Sequence, residues 1–346
     1  YLTADEQEVT VEYNETAEVA FENIEKTGEI KVTKTTVGNI NVSGITFNLR
    51  GTSDSGRDID IPAVTDENGV AIFSEIPIGT YTIYEDEKTV PTAYLVADPQ
   101  NVTVTYAETK EVPIENKEKT GSITVHKTTE GQKNIEGIKF YLRGTSDSGR
   151  AIDIPATTDK DGIAKFDGVP IGTYMVIEDE ETVPYGYLVA DEKEVKVEYA
   201  QTIDETILNN EQTGTVKVHK KTADMTNVEG IRFILSGISD TGREIRIEAT
   251  TDKDGLAKFE GVPVGTYTIT EDGSTVPYGY LVADSKQVTV AYAQTVDTDM
   301  VNEKAPDTPN TGVTDNDTDG RTALCSVAII LAGAAIVMFS RKRKER

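Results

Sequence analysis

Apolar and polar residues alternate in short runs over most of the chain, and turn-forming residues separate the runs. In the middle of the chain these runs are Ser122–Lys127, Ile138–Arg143, Ala151–Ile154, Ile163–Phe166, Thr173–Glu178, Val195–Tyr199 and Ile203–Asn209. Between them lie turn sequences such as Asp159-Lys160-Asp161-Gly162 and Val183-Pro184-Tyr185-Gly186. An alternation of period two is typical of β-strands, and about seven short strands with such turns predict an all-β fold of the β-sandwich type.

The whole pattern recurs at a fixed interval of 93 residues. Three copies open with Thr27-Gly28, Thr120-Gly121 and Thr213-Gly214, and they align without gaps. Self-similarity at a fixed period is the signature of a repeat array, so the sequence predicts repeats at 27–119, 120–212 and 213–304. Each repeat is long enough to bury a core of its own. Because the linkers between them are only about three residues long, we expect an extended rod.

The first 26 residues resemble the end of a repeat. Tyr1-Leu2-Thr3-Ala4-Asp5 matches Tyr94-Leu95-Val96-Ala97-Asp98 at the same interval, and Asn23 corresponds to Asn116. The sequence therefore predicts that residues 1–26 are the tail of a truncated preceding repeat and that the chain is the C-terminal part of a longer protein.

Composition restricts the function classes. The chain has 346 residues and a formal net charge of −26, which argues against binding of nucleic acid or of an anionic membrane by the repeats. The single cysteine, Cys325, lies outside the repeats, so no disulfide framework is possible within them. No cofactor or metal site is predicted, because the Asp-x-Asp-Gly turns lack the downstream acid of a calcium loop in two of three repeats.

Three polar side chains per repeat fall on the inward-facing phase of the predicted strands. Successive side chains alternate faces along a strand, and Lys34, for example, shares the phase of Ile30 and Val32. The three types recur at the repeat interval. The lysines are Lys34, Lys127 and Lys220, the glutamates are Glu85, Glu178 and Glu271, and the asparagines are Asn116, Asn209 and Asn302.

A buried lysine, carboxylic acid and carboxamide are the ingredients of an internal amide bond. Burial disfavours an unpaired charge, so the buried amine tends towards its neutral, nucleophilic form. A glutamic acid beside it can donate to the carboxamide and pass a proton to the departing ammonia. The alternative is a lysine that reaches water from a strand end, or an ordinary buried ion pair. Three copies of the same trio favour the cross-link.

At these residues the chain resembles a known family. In the first repeat, the lysine-bearing strand is Gly28 to Lys34, and the strand Gly79-Thr80-Tyr81-Thr82-Ile83-Tyr84-Glu85 ends with the glutamate. In the second repeat, a turn has the sequence Pro184-Tyr185-Gly186-Tyr187. These motifs resemble the B-type repeats of Gram-positive collagen adhesins and the SpaA-type pilin domains. The resemblance implies tandem inverse immunoglobulin-like (prealbumin-like) β-sandwiches. It also implies Lys–Asn isopeptide bonds whose formation the glutamate assists.

The C-terminal end has three parts: a motif and polar spacer at 305–322, an apolar run at 323–340 and a basic tail at 341–346. The apolar run predicts a transmembrane helix, and the basic tail predicts a cytoplasmic end. This layout resembles a sortase sorting signal, in which Thr308, Pro309, Asn310, Thr311 and Gly312 match the LPxTG pattern with Thr in place of Leu. The resemblance implies cleavage between Thr311 and Gly312 and transfer to an amine of peptidoglycan or of a pilin lysine. A simple membrane anchor that is never cut is the alternative.

Together these features predict a non-enzymatic stalk on a Gram-positive cell surface. The protein would be secreted, anchored to the cell wall by sortase, and would hold a distal region away from the wall. A pilus subunit polymerised by sortase is a second hypothesis. Direct binding of a host extracellular-matrix ligand, by the repeats or by a region preceding them, is a third.

Overall fold

A computed structural model describes residues 1–38, 42–133, 135–224, 226 and 228–306. Within these ranges the chain forms 21 β-strands, seven in each repeat. The first repeat contains β1 (Thr27–Thr36), β2 (Thr46–Thr52), β3 (Asp58–Val64), β4 (Val70–Pro77), β5 (Gly79–Glu85), β6 (Gln100–Val104) and β7 (Thr109–Asn116). The second contains β8 (Thr120–Thr129), β9 (Lys139–Ser146), β10 (Ala151–Thr157), β11 (Ile163–Pro170), β12 (Gly172–Glu178), β13 (Lys193–Val197) and β14 (Thr202–Asn209). The third contains β15 (Thr213–Thr222), β16 (Arg232–Ser239), β17 (Glu244–Thr250), β18 (Leu256–Pro263), β19 (Gly265–Glu271), β20 (Lys286–Val290) and β21 (Thr295–Asn302). Short 3₁₀ turns follow β5, β12 and β19, at Glu87–Thr89, Glu180–Thr182 and Gly273–Thr275.

Each repeat folds as two sheets with the same strand order. In the second repeat, the three-stranded sheet has the order β11-β8-β14 and the four-stranded sheet the order β10-β9-β12-β13. The first and last strands of the repeat, β8 and β14, are parallel neighbours, whereas β8 and β11 are antiparallel. The all-β, tandem-sandwich prediction is confirmed.

The alternating sequence pattern fills the space between the two sheets. In the second repeat, Ile123 and Val125 of β8 are fully buried against Phe140 and Leu142 of β9. Burial of each such side chain contributes roughly 1.5–3 kcal/mol. The hydroxyl of buried Tyr174 donates a hydrogen bond of 2.8 Å to the carbonyl of Pro170, so this polar group is satisfied within the core.

The glycine that opens each repeat lies where two backbone segments almost touch. A Cβ atom at Gly121 would lie 2.5 Å from the carbonyl oxygen of Glu198 and 2.8 Å from that of Gln201. The neighbouring amide of Ser122 donates to the same Gln201 carbonyl at 2.9 Å. Only glycine allows this approach, which brings the start of β8 against the turn that precedes β14.

Residues 1–26 contain no strand, although their sequence matches a region that forms two strands in the complete repeats. Val11 and Phe21 are 69% and 62% exposed, whereas the matching Val104 and Ile114 are buried. In the complete repeat, β6 pairs with β5 and β7 pairs with β1. The segment 1–26 has no counterparts of β1 and β5 among the described residues, so its apolar residues have no sheet to pack against.

The last strand of the third repeat, β21, ends at Asn302. No helix in the described part of the chain is both long and apolar enough to cross a membrane. The predicted membrane segment at 323–340, the tail at 341–346 and the sorting residues 308–312 all lie outside the described residues.

Candidate functional site: a buried lysine, glutamate and asparagine in each sandwich

The two sheets of each sandwich together position three polar side chains in the interior. In the second repeat, Lys127 lies on β8, Asn209 ends the parallel neighbour β14, and Glu178 ends β12 in the opposite sheet. The register places Lys127 opposite Ile207 and Asn209 opposite Thr129. Lys127 and Asn209 are therefore diagonal neighbours on the inward face, within reach of a long lysine side chain.

In the second repeat the three side chains form a closed contact. The Nζ atom of Lys127 lies 2.6 Å from Oδ1 of Asn209 and 3.5 Å from Oε1 of Glu178. The amide nitrogen Nδ2 of Asn209 donates a hydrogen bond of 3.1 Å to the same Oε1 atom. One carboxylate oxygen therefore contacts both the amine that could attack and the nitrogen that would leave.

In the first repeat the lysine and glutamate are paired, but the asparagine is not. Nζ of Lys34 lies 3.7 Å from Oε1 of Glu85 and donates to the carbonyl of Thr35 at 2.8 Å. Both side-chain amide atoms of Asn116 are buried and have no hydrogen-bond partner among the described residues. Such an arrangement costs about 1–3 kcal/mol per unsatisfied group.

In the third repeat the glutamate again contacts both partners. Nζ of Lys220 lies 3.2 Å from Oε1 of Glu271, and Nδ2 of Asn302 donates to Oε2 of Glu271 at 2.6 Å. Nδ2 also donates to the carbonyl of Leu281 at 2.6 Å. The buried Oδ1 atom of Asn302 has no hydrogen-bond partner in the described part of the chain.

All three sites are sealed from water. The lysines are 1–3% exposed, the asparagines are 0% exposed, and no glutamate side chain in these sites exceeds 1%. Burial lowers the pKa of Lys34, Lys127 and Lys220, and the attraction of the nearby glutamate opposes this shift only in part. Deprotonation to the neutral amine therefore costs less free energy than at an exposed lysine.

A backbone contact that the sequence analysis did not predict holds each glutamate. The amides of Ala97, Ala190 and Ala283 donate to Oε2 of Glu85, Glu178 and Glu271 at 2.8, 2.9 and 2.7 Å. These alanines lie in the sequence Tyr-Leu-Val-Ala-Asp, which is identical in all three repeats. That identity is the signal from which the contact could have been suspected.

Comparison with known proteins identifies the class. The domain family described as the SpaA prealbumin-like fold domain matches residues 28–118, 121–212 and 214–304. The chain therefore belongs to this family, and its resemblance to SpaA-type repeats is confirmed. No curated protein matches the chain in sequence.

Several solved structures are similar to the chain. The Bacillus anthracis TIE protein has a TM-score of 0.58 at 20% identity, over 80% of this chain and 51% of that chain. The present chain thus spans about half the length of that protein. A streptococcal ancillary pilin (TM-score 0.34, 18% identity) and BcpA, the major pilin of Bacillus cereus (0.39, 17%), each match over 81% of this chain and 100% of their own. At 20% identity the likeness to the TIE protein shows the fold alone.

Proposed function

We propose that the protein is a non-enzymatic surface stalk whose sandwiches each form a bond between the lysine and the asparagine of the buried trio. The observation that carries the proposal is the contact of 2.6 Å between Nζ of Lys127 and the carboxamide of Asn209. Membership of the SpaA family supports it, as does the recurrence of the trio in all three repeats.

The chemistry is a transamidation that each site performs once. A proton moves from Lys127 to Glu178 within the buried pair, which leaves an uncharged amine. Nζ attacks Cγ of Asn209, the Cγ–Nδ2 bond breaks, and ammonia departs. Glu178, protonated by the first step, delivers that proton to Nδ2 as the bond breaks, and its carboxylate then takes the surplus proton from Nζ; its Oε1 lies 3.5 Å from Nζ and 3.1 Å from Nδ2. Glu85 and Glu271 have the same role toward Lys34 with Asn116 and toward Lys220 with Asn302.

We further propose that the chain is displayed on a Gram-positive cell surface and joined to the wall by sortase at Thr311. The sequence of the C-terminal end supports this step. Attachment to peptidoglycan defines a stand-alone stalk, whereas attachment to a pilin lysine defines a pilus subunit. Electrophoresis of a wall extract under denaturing conditions separates the two: a single species supports the stalk, and a ladder of covalent multimers supports the pilus.

The mass of the intact chain tests the cross-link. We expect the folded protein to be lighter than its sequence mass by three molecules of ammonia. Asn209→Ala should reduce this deficit to two, because the acyl carbon of the second site is gone. Asn210→Ala is the matched control, since Asn210 is the adjacent, exposed asparagine, and it should keep all three losses. A full-length chain at its unmodified mass would refute the proposal.

A further inference from the structure

A glutamate precedes each sandwich at the repeat interval. Glu25, Glu118 and Glu211 lie just before β1, β8 and β15. Each reaches the hairpin between the second and third strands of the following sandwich. The contacted residues are Ser55 and Arg57 in the first, Ser148 and Arg150 in the second, and Thr241 and Arg243 in the third.

The contact has the geometry of a strong, charge-assisted pair. Arg150 donates from Nη2 to Oε2 of Glu118 at 2.8 Å and from Nε to Oε1 at 3.4 Å. Ser148 donates to Oε1 from the same hairpin. The side chain of Glu118 is only 5% exposed, and that of Glu211 is 0% exposed. Because the carboxylate is nearly buried and is held by both an arginine and a hydroxyl, solvent screens this contact less than it screens an ion pair between two exposed side chains.

The hairpin is organised to receive the glutamate. Oγ of Ser146 lies 2.7 Å from Oγ of Ser148 and accepts a hydrogen bond from the backbone amide of Arg150 at 3.0 Å. Ser148 and Arg150 are therefore held in place by their own sandwich. The same set of contacts occurs at Ser53, Ser55 and Arg57.

The backbone of the linker is tied to both of its neighbours. The amide of Lys119 donates to the carbonyl of Ala93 at 2.8 Å, and the amide of Leu95 donates to the carbonyl of Lys117 at 2.9 Å. On the other side, the amide of Ile171 donates to the carbonyl of Lys119 at 3.0 Å. A linker bonded to both sandwiches leaves few free dihedral angles at the joint.

The third sandwich departs from the pattern at its end. The position one interval after Glu211 is Lys304. Its Nζ atom lies 3.5 Å from Oδ2 of Asp224, and Asp224 also accepts a hydrogen bond of 2.5 Å from Tyr280. Asp224 and Tyr280 both belong to the third sandwich itself. The glutamate is thus present at each position that a described sandwich follows, and a lysine replaces it at the one position that no described sandwich follows.

We infer that the Ser/Thr-x-Arg hairpin of each sandwich is a docking surface for the linker glutamate of the segment before it, and that this contact locks the joint. Glu118 locks the first sandwich to the second, and Glu211 locks the second to the third. Glu25 occupies the corresponding surface of the first sandwich. Lys304 marks the end of the locked series.

Trypsin digestion tests the lock between the first and second sandwiches, because the linker Lys117-Glu118-Lys119 contains two lysines after which trypsin cleaves. In the full chain, Arg150→Met leaves the linker sequence unchanged and removes the arginine that pairs with Glu118. We expect cleavage after Lys119 to become about tenfold faster, since proteolysis follows the population of the open joint. Ser148→Ala should act in the same direction by a smaller factor.

Arg143→Met is the matched control, because Arg143 forms an exposed pair with Asp153 inside the second sandwich. Arg243→Met, at the second joint, should also leave cleavage after Lys119 unchanged. If Arg150→Met is cleaved no faster than these controls, the inference is wrong. The ammonia deficit of each variant reports the cross-links separately, so failure of the lock and failure of the proposed bond are distinguishable.

Discussion

At the scale of single residues, the candidate site depends on removing a lysine from water without removing its reactivity. Lys127 is 2% exposed, and burial lowers the pKa of its amine. The carboxylate of Glu178 pairs with this amine and also accepts a hydrogen bond from the carboxamide nitrogen of Asn209. The amide of Ala190 holds the other carboxylate oxygen. The geometry of the trio is therefore fixed by the sandwich before any bond forms.

The glutamate is required for proton transfer, and replacing it tests that role. Glu178→Gln keeps the shape of the side chain but can no longer exchange a proton with Lys127. We expect bond formation in the second repeat to slow by about 100-fold or more, measured as the loss of one ammonia over time after refolding. The control is Glu181→Gln, at an exposed glutamate just after the same strand. An unchanged rate in Glu178→Gln would remove the carboxyl group from the mechanism.

At the scale of elements, the parallel pairing of the first and last strands determines what the bond can join. β8 and β14 are adjacent over eight register pairs, from Ser122 opposite Thr202 to Thr129 opposite Asn209. Parallel neighbours need a long connection, and here the connection is the remainder of the sandwich. A bond between Lys127 and Asn209 therefore closes the whole fold of the repeat.

The close approach at the start of β8 predicts a destabilising substitution. Gly121→Ala would place a Cβ atom 2.5 Å from the carbonyl of Glu198, so the strand or the turn before β14 must shift. We expect a loss of about 1–3 kcal/mol in the free energy of unfolding of the second repeat. Thermal unfolding in the Asn209→Ala background, where no bond can form, measures the effect. Ser122→Ala, at the next position, should change it by less than about 0.5 kcal/mol; an equal loss in both variants would contradict the steric explanation.

At the scale of the molecule, the proposed bonds place a short covalent path through each sandwich. Force that enters near Lys127 leaves near Asn209, and the roughly 80 residues between them carry no load. Closing a loop of this length stabilises the folded state by roughly 4–5 kcal/mol in the chain-entropy model. The linker glutamates act at the joints, where each holds one sandwich to the next without lengthening the linker.

Stretching single molecules from their two ends tests this path. We expect the native chain to show no unfolding step that corresponds to a whole sandwich. Asn209→Ala should add one step of about 300 Å, because roughly 90 residues at ~3.4 Å each become extensible. Asn210→Ala should behave like the native chain. A native chain that releases three steps of this size would show that the sandwiches are not cross-linked.

The sequence by itself determined the local pattern. The alternation of period two specified strands, the interval of 93 residues specified the repeats, and the inward phase of Lys127, Glu178 and Asn209 identified the candidate trio. These features are local or periodic, and side-chain direction in a strand follows from backbone geometry alone. The strandless state of residues 1–26 was not predictable in this way, because a matching sequence forms strands only when its partner strands are present.

Only the tertiary structure decided which strands are neighbours. The parallel pairing of β8 with β14, the amide of Ala190 on Glu178, and the pairing of Glu118 with Arg150 each join residues more than ten positions apart. Contacts of this kind depend on how the sheets pack and on the free energy of closing long loops, not on the preferences of the residues themselves. For that reason the chemistry could be suspected from the sequence, whereas its geometry and the locks between sandwiches could not.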